Sequence, residues 1–213
     1  LTPEQTAALV TRSHTENTTV HAALCTAFLR AFAEFYGNGW QRTIQSPINL
    51  RQRLKAPVGE TFGLYINLAE FPVDCAPEHN FWEVARAIKQ GFVQHSSDQV
   101  IFKDLVGTGT FVDTLASVMT PSILIQSVAQ VKYDLSITNL GRLPFPTQYG
   151  SLQLDALFGP CISGKRNEVI LSVNTVNNKM HLTLIFTDVK LTTAQAEEIK
   201  GKALKWLGEA VGW

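Results

Sequence analysis

Apolar residues along the chain fall first at helical steps. In "TTVHAALCTAFLRAFAEFY", Val20, Leu24, Ala27, Phe28, Ala31, Phe32 and Phe35 recur every three or four residues, which places them on one buried face of a helix. Ahead of it, "LTPEQTAALVTR" has the marks of a helix start. Thr2 is placed to cap, Pro3 suits the first helical position, and Gln5 completes a capping box. After "GNGW" the period changes. "RTIQSPINL" reads as extended, and Phe62, Leu64, Ile66 and Leu68 alternate with Gly63, Tyr65 and Asn67, the two-residue period of a strand.

The middle of the chain returns to helical spacing. "NFWEVARAIKQGFVQH" is amphipathic, "SSDQVIFKDL" predicts a turn or two more, and "TFVDTLASVM" and "SILIQSVAQV" predict short helices. From Tyr133 the pattern is one of strands: "YDLSITNL", then the two-proline loop "GRLPFPTQYG", then "SLQLDALF", "EVILSVNTV" and "MHLTLIFTDV". Asn177 and Asn178 join the last two as a hairpin turn. The final segment, "TTAQAEEIKGKALKWLGEAV", has a second capping box in Thr192 and Gln195 and a buried stripe of Ile199, Ala203, Leu207 and Ala210. These elements predict an α/β two-layer sandwich, with a mixed, largely antiparallel sheet and flanking helices. No repeat or linker divides the chain, so residues 1–213 read as one domain.

Composition narrows the function classes. With 213 residues and 45% apolar content, the chain can bury a sizeable core. Eighteen basic residues balance eighteen acidic ones, which removes the electrostatic case for nucleic acid or an anionic membrane. No apolar run reaches the roughly 18 residues that a membrane span needs, and no secretory leader opens the chain. Cys25, Cys75 and Cys161 are scattered, without CxxC spacing. They read as reduced, buried thiols of a cytoplasmic protein rather than a disulfide frame or a metal site.

A catalytic centre is hard to find. There is no GxSxG, no glycine-rich phosphate loop, no HExxH and no clustered His/Cys pattern. His21 falls inside a helix and His181 starts a strand, and both read as structural. His79 and Glu83 in "EHNFWE" are four residues apart and can meet on one helical turn. That contact would orient a base, although the same spacing is also that of a surface feature at a helix start. No catalytic or metal-binding residue is assigned.

Several stretches together carry a resemblance. "INLRQRLKAPVGETFGLYIN" holds an (N/D)xRxR element in Asn49, Arg51 and Arg53, a proline-containing loop, and a GxYxN strand in Gly63, Tyr65 and Asn67. "TVHAALCTAFLRAF" precedes it, and "DLSITNLGRL" and "QYGSLQL" follow. In this order they resemble the C-terminal half of the condensation-domain and BAHD-like acyltransferases of the chloramphenicol-acetyltransferase-like fold. The likeness is nearest to the condensation-like alcohol and polyketide-associated acyltransferases. Those enzymes carry HHxxxDG in their N-terminal half, its second histidine acting as general base. Here the residues four after each histidine are Thr18, Cys25, Glu83, Gln99 and Ile185, never aspartate.

The resemblance therefore implies a C-terminal lobe whose N-terminal, base-carrying lobe is absent from this chain. A base deprotonates an alcohol or amine, which attacks an acyl thioester, and the oxyanion that results needs donors. No cofactor would be held permanently, since acyl-CoA or a phosphopantetheine-carried thioester enters as substrate. By resemblance Asn139 and Gly141 line the channel, with Asn67 a further candidate that, inside a strand, is better suited to satisfying local backbone groups than to touching substrate. Arg51 and Arg53 have two readings: structural pins near the crossover between lobes, or contacts to a thioester's phosphate, which suits a guanidinium fork. The expected partner is the N-terminal lobe or a second copy, with a small-molecule acceptor. Phe62, Leu64, Tyr65, Phe145 and Tyr149 are the candidate interface. The alternative is a binding or interaction module that keeps the fold without the chemistry.

Overall fold

A computed structural model describes residues 1–37, 42–76, 78–103, 106–107, 133–159 and 169–213. Helix α1 (Pro3–Thr15) starts with the capping box its sequence encodes. Thr2 Oγ1 accepts from the Gln5 N–H at 3.2 Å, and Gln5 Oε1 accepts from the Thr2 N–H at 3.0 Å. Helix α2 (Val20–Tyr36) is capped by Thr19 and stops at Gly37, whose φ of +73° would strain any side chain. Every residue of α2 from Ala22 to Phe32 is buried. It is thus the centre of the helical layer rather than a one-faced surface helix, and α3 (Phe81–His95) and α4 (Thr193–Val211) both pack along it. Asn80 with Glu83, and Thr192 with Gln195, close capping boxes at the starts of α3 and α4. Residues 98–103 add a short helical stretch, as expected.

The strands in chain order are β1 (Thr43–Asn49), β2 (Ile66–Pro72), β3 (Leu135–Arg142), β4 (Gln148–Tyr149), β5 (Leu152–Gln153), β6 (Val169–Val176) and β7 (Lys179–Phe186). Five of them form one sheet in the order β2-β1-β3-β6-β7, while β4 and β5 pair separately. The outer pairings, β1 with β2 and β6 with β7, are antiparallel and run their full length. The inner pairings, β1 with β3 and β3 with β6, are parallel and shorter. Phe71, Ile44 and Leu135 face one another across three strands, and Ile137, Leu171 and Leu184 do so across the next three. Both rows belong to the core shared with α2, α3 and α4. Phe28 and Phe32, buried in that core, are each worth about 1.5–3 kcal/mol of transfer free energy. On the far face Asn174 is also buried, its Nδ2 donating to the Leu157 carbonyl at 2.9 Å.

Three sequence expectations change in detail. The strand expected from Phe62 starts only at Ile66, because β1 curls into a 3-10 turn at Arg51–Arg53 and its pairing with this segment ends in one bond, from the Leu50 N–H to the Tyr65 carbonyl at 2.9 Å. "SLQLDALF" keeps only Leu152–Gln153 as strand; the rest crosses the sheet face, held by Asn174 and by Asn177, whose Nδ2 donates to the Leu154 carbonyl at 2.7 Å. "GRLPFPTQYG" is not all loop: Gly141 and Arg142 finish β3, and Gln148–Tyr149 forms β4. The hairpin holds, with Asn177 and Asn178 at φ +49° and +64°, as a type I′ turn requires. The helices expected at 110–119 and 122–131, and Cys161, lie outside the described residues.

Candidate functional site

The site follows from one proline. Pro47 lies within β1, and a prolyl nitrogen has no hydrogen to continue a ladder. On its β3 side, β1 pairs only through Ile44 and Gln45. One residue further on, the Ser46 side chain makes the bond instead, Oγ donating to the Ile137 carbonyl at 2.8 Å. Beyond this point a groove of about 480 Å³ opens, lined by Ser46, Pro47 and Ile48 of β1, His21 of α2, and Asn139 and Gly141 of β3. The next paired strand after β1 is β2 on one side, and the next after β3 is β6 on the other. The gap is therefore a topological switch point at the carboxyl ends of two parallel strands, the place where open α/β sheets leave a crevice.

His21 forms part of the groove's wall. Its Nε2 is 3.2 Å from Ser46 Oγ, and its ring meets Phe92 edge-on at a centroid distance of 4.8 Å. Ser46 has one hydroxyl proton, already given to Ile137, so it accepts from His21 and the imidazole carries its proton on Nε2. Burial pushes this histidine down to about 4, leaving it neutral at pH 7. A serine nucleophile would need the reverse bond, with the imidazole accepting from the hydroxyl. His21 and Ser46 thus form a fixed wall rather than a nucleophile and its base.

The opposite wall is shaped by Asn139. Its Oδ1 accepts from the Gly141 N–H at 2.8 Å, and Gly141 sits at φ +64°. No atom lies within 4 Å of where a Cβ would stand on Gly141, so glycine is required by backbone conformation and not by crowding. The β3–β6 register shifts between Asn139 and Arg142, a bulge that turns this end of β3. Lys89, Phe92 and Val93 of α3 complete a lining of apolar surface with a few polar groups, the usual makeup of a small-molecule site.

The remaining candidates lie outside this groove. Asn67 is committed locally: its Nδ2 donates to the Ile101 carbonyl at 3.1 Å and its Oδ1 accepts from the Leu68 N–H at 2.8 Å. Arg51 Nη1 donates to the carbonyls of Gly59 at 2.9 Å and Thr61 at 3.0 Å, with the guanidinium over the Tyr65 ring. Arg53 Nη1 bonds the Ser96 carbonyl and, at 3.2 Å, Asp98. Both arginines thus bond within the lobe. The His79–Glu83 contact is not formed: Glu83 accepts from the Asn80 N–H in the α3 cap, and His79 lies 3.2 Å from the exposed Asp74. The bond from the Ala76 N–H, then the His79 side chain, holds Asp74 below the usual carboxylate range.

His21 reads as structural in the sequence, and nothing there connects it with Ser46. The available signal was Pro47, which marks where a strand must stop pairing. Of the interface candidates, Phe62 is fully exposed, Leu64 by 86%, Tyr149 by 54% and Phe145 by 39%, whereas Tyr65 is half-buried under Arg51. Among the described residues no group of three or more His, Cys, Asp or Glu is placed to hold a metal, and no helix is long and apolar enough to cross a membrane.

A family model described as the phthiocerol/phthiodiolone dimycocerosyl transferase C-terminus matches residues 1–160. No curated protein is matched by sequence. Among solved structures, the chain is similar to the epimerization domain from the third module of tyrocidine synthetase B, at 15% identity and a TM-score of 0.66, covering 99% of this chain and 46% of that one. It is also similar to polyketide synthase associated protein 5 from Mycobacterium tuberculosis, at 13% and 0.62, covering 98% and 50%. A third likeness is to the EpoB cyclization-docking bidomain from Sorangium cellulosum, at 10% and 0.65, covering 100% and 40%. At these identities the likeness is one of fold. The chain spans half or less of the length of each.

Proposed function

The chain belongs to the phthiocerol/phthiodiolone dimycocerosyl transferase C-terminal family, and on that premise we propose that it is the C-terminal lobe of an acyltransferase. The reaction moves an acyl group from a CoA or carrier-protein thioester to an alcohol or amine. This lobe supplies channel wall and substrate pocket, and the general base comes from an N-terminal lobe carrying HHxxxDG. The observation that carries the reading is the groove between β1 and β3, where Asn139 and Gly141 face His21 and Ser46. A neutral imidazole whose proton is committed to Ser46, beside apolar side chains, suits an acyl chain or acceptor better than it suits proton transfer.

Asn139 and Gly141 are the channel-lining residues of this proposal. Asn67 holds the 98–103 stretch against β2 beside it, and Arg51 and Arg53 act as structural pins. Phe62 and Leu64 are the surface offered to the N-terminal lobe or to a second copy. The test is acyl transfer by this chain supplied with an N-terminal lobe, alongside Asn139→Trp, which fills the groove from an exposed position. Loss of turnover in that variant with the fold intact supports the reading. Unchanged turnover moves the channel elsewhere, and no turnover by the unsubstituted pair favours a binding module without chemistry of its own.

A further inference from the structure

At the other end of α3 from the groove, a guanidinium is buried without an ion pair among the described residues. Arg30 stands in the all-buried stretch of α2 with 5% of its surface exposed. Among the described residues it has no ion pair, and its one hydrogen bond runs from Nη2 to the His79 carbonyl. Nε is enclosed and has no acceptor. The guanidinium lies 4.6 Å from the Trp206 ring centroid and 6.0 Å from that of Phe81. A buried guanidinium held only by one carbonyl and two aromatic faces is costly in low dielectric unless an anion completes it. Burial lowers its basicity, and the neighbouring Cys75 and Glu34 oppose that shift.

The surroundings are those of a pocket. Arg30, Phe81, Trp82, Trp206 and Glu209 line a cavity of about 450 Å³ between α2, the start of α3 and the end of α4. Trp206 is fixed at its rim, Nε1 donating to Glu34 Oε1 at 2.8 Å, and Trp82 is fixed by Nε1 donating to the Ala210 carbonyl at 3.3 Å. The helix end adds little, because Asn80 and Glu83 already close its cap. Arg12 also reaches the pocket but is paired with Glu16 at 2.8 Å. Arg30 is thus the buried cation of this pocket that lacks an ion pair among the described residues, with Glu34 and Glu209 acting on it only at longer range.

We propose that this pocket binds a small-molecule carboxylate with an apolar body, its oxygens on the Arg30 guanidinium and its body between Trp82 and Trp206. A monoanion matches one unpaired guanidinium, whereas a dianionic phosphate would meet Glu34 and Glu209 with excess charge. The site is separate from the acyl-transfer groove, so it stands or falls independently of that reading.

The experiment is a titration of the chain with benzoate at constant ionic strength, read by tryptophan fluorescence, with inorganic phosphate in parallel. Saturable quenching by benzoate and none by phosphate is expected. Arg30→Lys, which loses the planar fork, weakens benzoate binding about tenfold. Because a change at a buried site can also disturb folding, the exposed Glu209→Gln serves as the second variant. Removing that like charge tightens benzoate binding about two- to threefold. No saturable benzoate signal, an equal response to phosphate, or an unchanged affinity in Glu209→Gln would overturn the proposal.

Discussion

The Arg51 guanidinium lies 4.4 Å from the centroid of the Tyr65 ring while its Nη1 holds the carbonyls of Gly59 and Thr61. One side chain thus laces both arms of the loop between the 3-10 turn and β2. Lysine in its place keeps the charge but cannot hold two carbonyls and stack on the ring at once. Arg51→Lys should raise the rate of chymotryptic cleavage after Phe62 several-fold while lowering global stability by only about 1 kcal/mol. An unchanged cleavage rate would mean that the loop is held by something else.

Gly91 on α3 packs directly on Phe71 of β2. A Cβ there would overlap the Phe71 ring, which cannot retreat because Phe92 and His95 pack against it at centroid distances of 4.9 and 4.8 Å. Alanine ordinarily strengthens a helix, but here overpacking dominates. Gly91→Ala should cost about 2 kcal/mol in urea unfolding. A stabilised variant would contradict the packing described.

His21 makes stability depend on pH. Its folded pKa of about 4 lies below the ordinary 6.5, so between these values the unfolded chain binds the extra proton. The stabilisation is complete above about pH 6.5 and is lost as pH falls toward 4. The chain should lose about 2 kcal/mol between pH 7.5 and pH 5 through this one group. His21→Asn, which keeps a donor for Ser46 but does not titrate, should remove that part of the pH dependence in denaturant melts. An identical slope in the variant would place the acid sensitivity elsewhere.

Much of the fold was legible because its signals are local. The capping residues Thr2 and Thr192, the 3.6-residue stripes and the Asn177–Asn178 turn act over a few positions, and each element formed close to where these marks stand. Strand extents were less legible, since a strand ends where its partner does. The alternation at 62–65 could not reveal that β1 turns away at Asn49. Resemblance alone points to Asn139 and Gly141, whereas His21 and Ser46 are 25 residues apart in sequence and meet only in the folded molecule. Nothing local in the sequence marks Arg30 as a buried charge.

Phe62 and Leu64 stand almost wholly in water and should drive association. Sedimentation of residues 1–213 should show concentration-dependent self-association in the absence of another lobe. The double change Phe62→Ser with Leu64→Ser should reduce it without lowering thermal stability, as neither side chain packs in the core. A clean monomer at high concentration before any substitution would count against this surface.

Acyl transfer from short acyl-CoA thioesters to alcohol acceptors tests the central claim, measured for residues 1–213 alone, for an HHxxxDG-bearing N-terminal lobe of the same family alone, and for the two together. Each lobe alone should be inactive, and the pair should turn over at least about a thousandfold faster than either, as expected when a general base meets its substrate channel. Robust turnover by residues 1–213 alone that disappears in His79→Ala would contradict the account and make the surface around Asp74 and His79 the active site.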